Sequence, residues 1–445
     1  MDPHQRVTVV GAGYVGLVTA VGLAGLGRRV HLVETRPDRL GPLLQGRVPI
    51  HEAGLQDGLV AALDAGSLTI SDDPPEDPGI AMVCVGTPID DDGQTDDRQL
   101  RSALGALHGR FGEDAILCVR STLPIGRTRE VVSWAGLPTS RIFTNPEFLR
   151  QGTALQDFRF PSRIVVGRFE DADPAAISAV LDLYAPIDAP RFVVDVEAAE
   201  IIKNAANAFL ALKLSFTNEI AALCEEAGAD IDDVLAAIGA DPRIGRTYMA
   251  PSFGFGGSCL PKELKTVARA GQGLGLPMFV ATAASDANRA AQARFAGQVA
   301  AAVGGLPGRT LAVLGLAFKA GTDDIRDSPA IALAAALLEG GAQVRGYDPA
   351  AGPAAAERVP ALQVVGSAAA AVAGADAVVI ATEWPEFRDL PWADLRGSMA
   401  RPLVIDGRRV IDVERLRALG FETYQLGDGR VRPPTSAVRA EATLR

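Results

Sequence analysis

From residue 7 the chain reads VTVV, then GAGYVG, then LVTAVGLAGLG, then RVHLVE. A four-residue apolar run that stops at glycine predicts a strand, and the longer Gly- and Ala-rich run predicts a helix. The next short run, ending at Glu34, predicts a second strand, so residues 7–34 open a βαβ unit. Residues 7–27 are almost wholly apolar and about long enough to cross a bilayer. Divided into strand, glycine turn and helix, they are expected to fold inside a domain instead, and they lack the polar cleavage region of a secretory signal. Further apolar runs at 80–85 (IAMVCV), 115–119 (AILCV), 141–144 and 163–166 are mostly separated by helical stretches. That alternation predicts an α/β fold with a mostly parallel sheet covered on both faces.

The texture changes near residue 196. EAAEIIKNAANAFLALKLSFTNEIAALCEEAG shows no strand alternation and closes at Gly228, which predicts a long helix. A second helical block at 261–302 leads through GGLPGR into LAVLGLAF, where strand texture resumes. Strands are predicted at 311–314, 343–347, 377–380 and 403–405, a second Rossmann-like sheet. Gly11 and Glu34 are 23 residues apart whereas Gly315 and Asp348 are 33 apart, and the second unit has no glycine fingerprint. The two sheets are therefore expected to hold different ligands. The expected division is 1–195, a central all-helical 196–302, and 303–427. Residues 428–445, which lack periodicity, read as a mobile tail.

Composition narrows the function classes. The 445 residues are 48% apolar, enough for two to four domains and too much for global disorder. Lys and Arg number 43 against 54 Asp and Glu, and the net charge of −11 argues against a nucleic-acid or anionic-membrane footprint. Cys84, Cys118, Cys224 and Cys259 form no CxxC pair, which fits a reducing cytoplasm. His4, His31, His51 and His108 show no ligand spacing, so no metal site is expected.

The candidate chemistry begins at Gly11-Ala-Gly13-Tyr14-Val15-Gly16. Following a strand and opening a helix, Gly11 permits the tight turn, Gly13 lets backbone amides approach a pyrophosphate, and Gly16 allows close helix–sheet packing. Glu34 stands where a carboxylate accepts ribose hydroxyls and repels a 2′-phosphate, which favours NAD over NADP, although Arg36 nearby weakens the preference. A flavin site or an unliganded turn are the alternatives. Lys203 and Asn207 share a helix face, with Asn218 within about 60° of Lys203; the stripe faces either a specific site or solvent. Cys259 follows a glycine turn and precedes a predicted helix, with Lys262 close by, a setting that stabilises a thiolate. The other three cysteines sit in apolar texture and read as inert. Arg120-Ser121-Thr122 and Asn145-Pro146-Glu147-Phe148-Leu149 each follow a predicted strand, where open α/β sheets place ligands.

Taken in order, GAGYVG (11–16), VCVGTP (83–88), RSTLPIG (120–126), TNPEFL (144–149), EIIKNAANAF (200–209), FGFGGSCLPKE (253–263) and GLAFKAGTDDIRDSP (315–329) resemble the UDP-glucose/GDP-mannose dehydrogenase family across residues 7 to about 410. The resemblance implies oxidation of UDP-glucose to UDP-glucuronate with two NAD and water. The first oxidation gives an aldehyde, Cys259 captures it as a thiohemiacetal, the second gives a thioester, and water cleaves it. GDP-mannose is the alternative substrate, UDP-N-acetyl-mannosamine a more distant one, and a non-catalytic nucleotide-binding protein the alternative class.

The resemblance also implies roles. Lys203 stabilises the developing oxyanion and Asn207 adds a hydrogen bond, while Thr122 and Glu147 hold the water network. Glu147 as a helix cap or a partner of Arg150 is the plain alternative. Thr87, Thr122 and Lys262 join Gly11, Gly13, Tyr14, Val15, Gly16 and Glu34 around NAD. Phe148, Leu149, Lys203, Asn207, Tyr248, Phe253 and Gly256 are expected at the nucleotide sugar, with Phe318, Lys319 and Arg326 from the third region. Arg243 resembles an arginine that reaches a partner subunit's site, so a homodimer or higher homo-oligomer is expected; an ordinary surface charge is the alternative. Two positions depart from the family. Glu263 replaces the usual aspartate four residues after the cysteine and is one methylene longer, which changes its reach. Gln151 replaces a glutamate.

Overall fold

The computed structural model describes residues 6–90 and 94–430. It forms two compact units, one of Met1–Asn207 with Lys265–Met278 and one of Ala208–Leu264 with Phe279–Arg445. The first unit contains β1 (Arg6–Val10), β2 (Arg29–Val33), β3 (Leu68–Ser71), β4 (Ile80–Val83), β5 (Ile116–Val119), β6 (Ile142–Thr144), β7 (Ile164–Arg168) and β8 (Arg191–Asp195). They pair in the order β3-β2-β1-β4-β5-β6-β7-β8. All neighbours are parallel except β6 and β7, where Phe143 faces Arg168 and Thr144 faces Gly167. Central strands are buried along their whole length, as in β4 and β5, which explains their unbroken apolar runs.

The second unit contains β9 (Thr310–Leu314), β10 (Gln343–Tyr347), β11 (Gln363–Val364), β12 (Ala377–Ile380), β13 (Leu403–Asp406) and β14 (Glu422–Gln425), ordered β11-β10-β9-β12-β13-β14 and wholly parallel. Each sheet reverses its strand order beside its first strand, at β1/β4 and at β9/β12, the crevice where open α/β sheets bind ligands. Two Rossmann-like sheets separated by a largely helical region, as expected, make up the fold. The four strands that the hydrophobic pattern misses are β3, β8, β11 and β14, the two edges of each sheet. Half exposed and carrying polar residues, they lack the apolar run that marks a strand buried on both faces.

In chain order, β8 is followed by a long helix, Val196–Ala227, and then by the helices Ile231–Gly239, Leu260–Gly273 and Phe279–Ala302, before β9. The predicted second helical block is thus two helices, broken at 274–278 around Gly275 and Pro277. Residues 240–259 are irregular and end at Cys259. Residues 7–27 form β1, the turn and a helix of 12 residues, and among the described residues no helix is long and apolar enough to cross a membrane. Within the expected tail, Asp428 bridges to Asp230, and Arg430 pairs with both of these aspartates. The remainder, 431–445, lies outside the described residues.

Candidate active site

Gly11 sits at φ +97, in the left-handed region that glycine tolerates, and a β-carbon on Gly16 would run into the Gly11 carbonyl. The turn therefore closes as tightly as its glycines permit. Its helix, Tyr14–Gly25, starts at Gly13 with no side-chain cap, so no capping side chain takes up its first amides. Buried Glu34 is fixed at the end of β2: its carboxylate accepts the Ala12 amide at 3.1 Å and the Arg36 amide at 2.9 Å. The Arg36 guanidinium is engaged by Asp38 at 2.6 Å. These residues fit a dinucleotide. The corresponding turn of the second sheet is closed from within, because Asp348 accepts the Leu316 and Ala317 amides at 2.7 and 2.9 Å and the Trp384 indole N–H at 3.1 Å.

Beside the cofactor turn, Lys203 Nζ meets Glu147 Oε1 at 2.9 Å, with the two side chains only 5% and 7% exposed. Glu147 Oε2 also accepts the Leu149 amide at 2.6 Å. The pairing with Arg150 does not occur; Arg150 binds Asp157 at 2.6 Å. Phe148 lies under the Arg163 guanidinium at 3.6 Å and 5.4 Å from Lys203 Nζ. The long helix also holds the loop that carries Thr122. Glu200 accepts the Gly126 and Thr128 amides at 2.5 and 2.8 Å, and Asn204 donates to the Leu123 carbonyl at 3.1 Å. Thr87 donates to the Thr122 carbonyl at 2.7 Å, and Thr122, Thr144, Glu200 and Lys203 line one cavity of about 10 Å³. Asn207 is half-buried one turn beyond Lys203.

Burial alone would raise the Glu147 carboxyl, but the Lys203 charge and hydrogen bond outweigh it and hold the group below its ordinary value of 4.5. The unfolded chain then binds this proton more readily than the folded one, so the pair's stabilisation is complete above about pH 4.5 and is lost as pH falls through the lower folded value. We expect the thermal midpoint of the wild type to fall below pH 4.5 more steeply than that of Glu147→Gln, which has no such proton to take up. Equal slopes in circular-dichroism melts across that window would refute the linkage.

In the second unit, Cys259 is exposed, its sulfur 3.7 Å from Ser258 Oγ, whereas Cys84, Cys118 and Cys224 are buried. Burial pushes the Cys84 and Cys118 thiols up to about 12, which keeps them protonated and unreactive. The segment before Cys259 is pinned from two sides. Asn218 Oδ1 accepts the Ser252 amide at 2.8 Å, and Asn288 exchanges hydrogen bonds of 2.9 and 3.0 Å with Phe255. Asn218 is thus engaged in bracing this segment. Gly256 packs against the Asp327 carbonyl, where a β-carbon would collide, and the Gly257 amide donates to the Arg326 carbonyl at 2.9 Å. Cys259 is in this way set beside the loop 318–327 with its Phe318, Lys319 and Arg326. Arg326 is held above its ordinary value by Asp324 first, with the Cys259 sulfur among the smaller contributors. Glu263 is buried one turn into the following helix, and its amide donates to the Cys259 carbonyl at 2.9 Å.

The remaining expected residues are less gathered. Phe253 is buried and stacks on Phe295 with centroids 4.6 Å apart. Tyr248 adopts φ +64, an unusual conformation for a bulky residue. Arg243 is exposed and paired with Asp241 at 2.5 Å. Val15, Leu149 and Lys262 are half-buried. The motifs did not single out Arg408, a half-buried cation 5.0 Å from the Phe253 ring, which donates to the Ala381 carbonyl at 2.9 Å. Its signal was present: DGR follows directly on the end of β13. Nor did they find Glu52, whose carboxylate receives Tyr14.

Three models of the UDP-glucose/GDP-mannose dehydrogenase family match the chain: its NAD binding domain over 5–188, its central domain over 197–290 and its UDP binding domain over 312–413. The UDP-glucose 6-dehydrogenase of Pseudomonas aeruginosa is 39% identical over 451 residues, covering 96% of this chain and 98% of that protein. A UDP-glucose dehydrogenase from the archaeon Pyrobaculum islandicum is 37% identical with a TM-score of 0.83, over 95% of this chain and 97% of that one. A UDP-D-ManNAc dehydrogenase from Pyrococcus horikoshii is 27% identical with a TM-score of 0.83, over 96% of this chain and 100% of that one.

Proposed function

The chain belongs to the UDP-glucose/GDP-mannose dehydrogenase family and is an NAD-dependent nucleotide-sugar dehydrogenase, and on that premise we propose that it oxidises UDP-glucose at C6 to UDP-glucuronate. The observation that carries this substrate is the 39% identity to a UDP-glucose 6-dehydrogenase over almost the full length of both chains. In the balanced reaction the primary alcohol and one water yield a carboxylate, two hydrides and three protons.

NAD, when bound, supplies the hydride acceptor for both oxidations. The helix start after Gly13 would hold its pyrophosphate, and Glu34 would accept from its ribose hydroxyls. Lys203 stabilises negative charge as the C6 hydroxyl loses its proton, with Asn207 as a second donor. Cys259 adds its sulfur to the aldehyde carbon, makes that carbon tetrahedral again, and carries the acyl group as a thioester after the second oxidation. Glu147, ionised through its bond to Lys203, takes a proton from the water that cleaves the thioester, a step to which Thr122 and Glu263 are also assigned. Phe148 and Leu149 in the first unit, and Tyr248, Phe253, Gly256, Phe318 and Lys319 in the second, are assigned to nucleotide-sugar binding, and Arg243 serves a partner subunit in a homodimer.

The test measures NADH formed from UDP-glucose, GDP-mannose and UDP-N-acetyl-mannosamine, with the products identified by mass. Two NADH per UDP-glucuronate, with the other sugars far slower, is the expected outcome. Preference for another sugar would overturn the substrate, and one NADH with released aldehyde would overturn the four-electron route.

A further inference from the structure

We propose that Glu52 is a positioning residue that yokes the cofactor turn to the loop carrying Glu147, an inference that rests on the dehydrogenase mechanism above. Glu52 lies between two helices in the first unit, in no regular element, and is 8% exposed. Its Oε2 accepts the Tyr14 hydroxyl and, at 2.6 Å, the Gly152 amide; its Oε1 accepts the Ala154 amide at 2.8 Å. One buried carboxylate thus joins two chain segments that are far apart in sequence. Tyr14 opens the first helix directly after Gly13, and its hydroxyl also stands 3.4 Å from the Arg150 carbonyl.

The joined segment leads back to the Lys203 ion pair through short links. The Arg150 amide is bound by Asp157 at 2.9 Å, and the Leu149 amide by Glu147 at 2.6 Å. Glu147 then holds Lys203. Tyr14 cannot shift at the cofactor turn without moving the carboxylate that anchors Gly152 and Ala154, a few residues from Glu147. Both carboxylate oxygens accept here, so the amide of a glutamine would turn its own N–H₂ against a backbone N–H. A structural brace alone has no need of the tyrosine hydroxyl; a yoke does.

The experiment uses the full chain as wild type, Glu52→Gln, Tyr14→Phe and the double variant. Initial rates are measured with NAD varied at fixed UDP-glucose and the reverse, together with calorimetric NAD binding and thermal midpoints. Glu52→Gln is expected to raise both KM and Kd for NAD about tenfold, the effect of one lost hydrogen bond to a charged group, and to lower kcat about tenfold, while KM for UDP-glucose moves less than about twofold. Tyr14→Phe acts in the same direction, and the double variant is no worse than Glu52→Gln. Independent, multiplying effects of the two substitutions would overturn the yoke. So would a lower thermal midpoint with unchanged kinetic constants, or equal rises in both KM values. If Glu52→Gln fails to fold, Tyr14→Phe decides alone, and an unchanged KM for NAD refutes the proposal. A wild type that binds NAD but oxidises no nucleotide sugar would defeat the dehydrogenase reading, while the calorimetric comparison would still judge Glu52.

Discussion

Cys259→Ser is expected to lower kcat on the order of 10³-fold or more while leaving the thermal midpoint nearly unchanged. Serine retains the shape of the side chain but has a hydroxyl far harder to ionise than a thiol, so attack on the aldehyde slows. If the second oxidation does follow, the product is an oxygen ester, which water cleaves less readily than a thioester. Single-turnover absorbance would show about one NADH in the fast phase, and intact-protein mass would detect any ester that accumulates. The prediction is specific to this cysteine, because Cys84 and Cys118 are buried with their thiols pushed up to about 12. Cys259 is exposed, so its replacement disturbs no core and costs within about 0.5 kcal/mol. Turnover within tenfold of wild type, with two NADH per sugar, would remove the thiol from the mechanism.

Lys203→Ala carries the second large effect, and it acts on two properties at once. Loss of a preorganised cation at a developing oxyanion costs about 10² to 10³ in kcat. The same change leaves Glu147 buried without its partner, and breaking such a pair costs about 3–5 kcal/mol. Burial, the largest influence on Glu147, is then opposed by the Leu149 amide and the Arg120 charge without the larger Lys203 contribution, and its carboxyl moves up. The expected record is a fall in kcat, a fall in thermal midpoint, and a shift of the acidic limb of the pH–rate profile to higher pH. A kcat within about threefold of wild type would refute the oxyanion role, whatever happened to stability.

Much of the fold was legible from local pattern. The ten strands that local pattern identifies are those between the sheet edges, several of which, like β4 and β5, are buried on both faces and carry the continuous apolar run that such burial demands. The missed ones, with sequences such as RFVVD and ETYQ, are edge strands whose pairing on one side alone makes no such demand. The glycine turn was legible for a similar reason, since Gly11 and Gly16 report backbone conformation and close packing within six residues of each other. Asn218 was not: helical spacing sets it near the face of Lys203, but its partner is Ser252, on a segment that no helical period describes.

Apolar periodicity, the glycine positions and the order of motifs thus suffice for the α/β class, the two sheets, the long central helix and the family, because each depends on burial or backbone geometry over a few residues. The partners of the charged groups required the folded chain. Lys203 and Glu147 lie 56 residues apart, and Glu52 reaches Ala154 across 102. An ion pair or a carboxylate clamp leaves no periodic trace in sequence; it exists once packing excludes water from both partners and makes an unmatched charge costly.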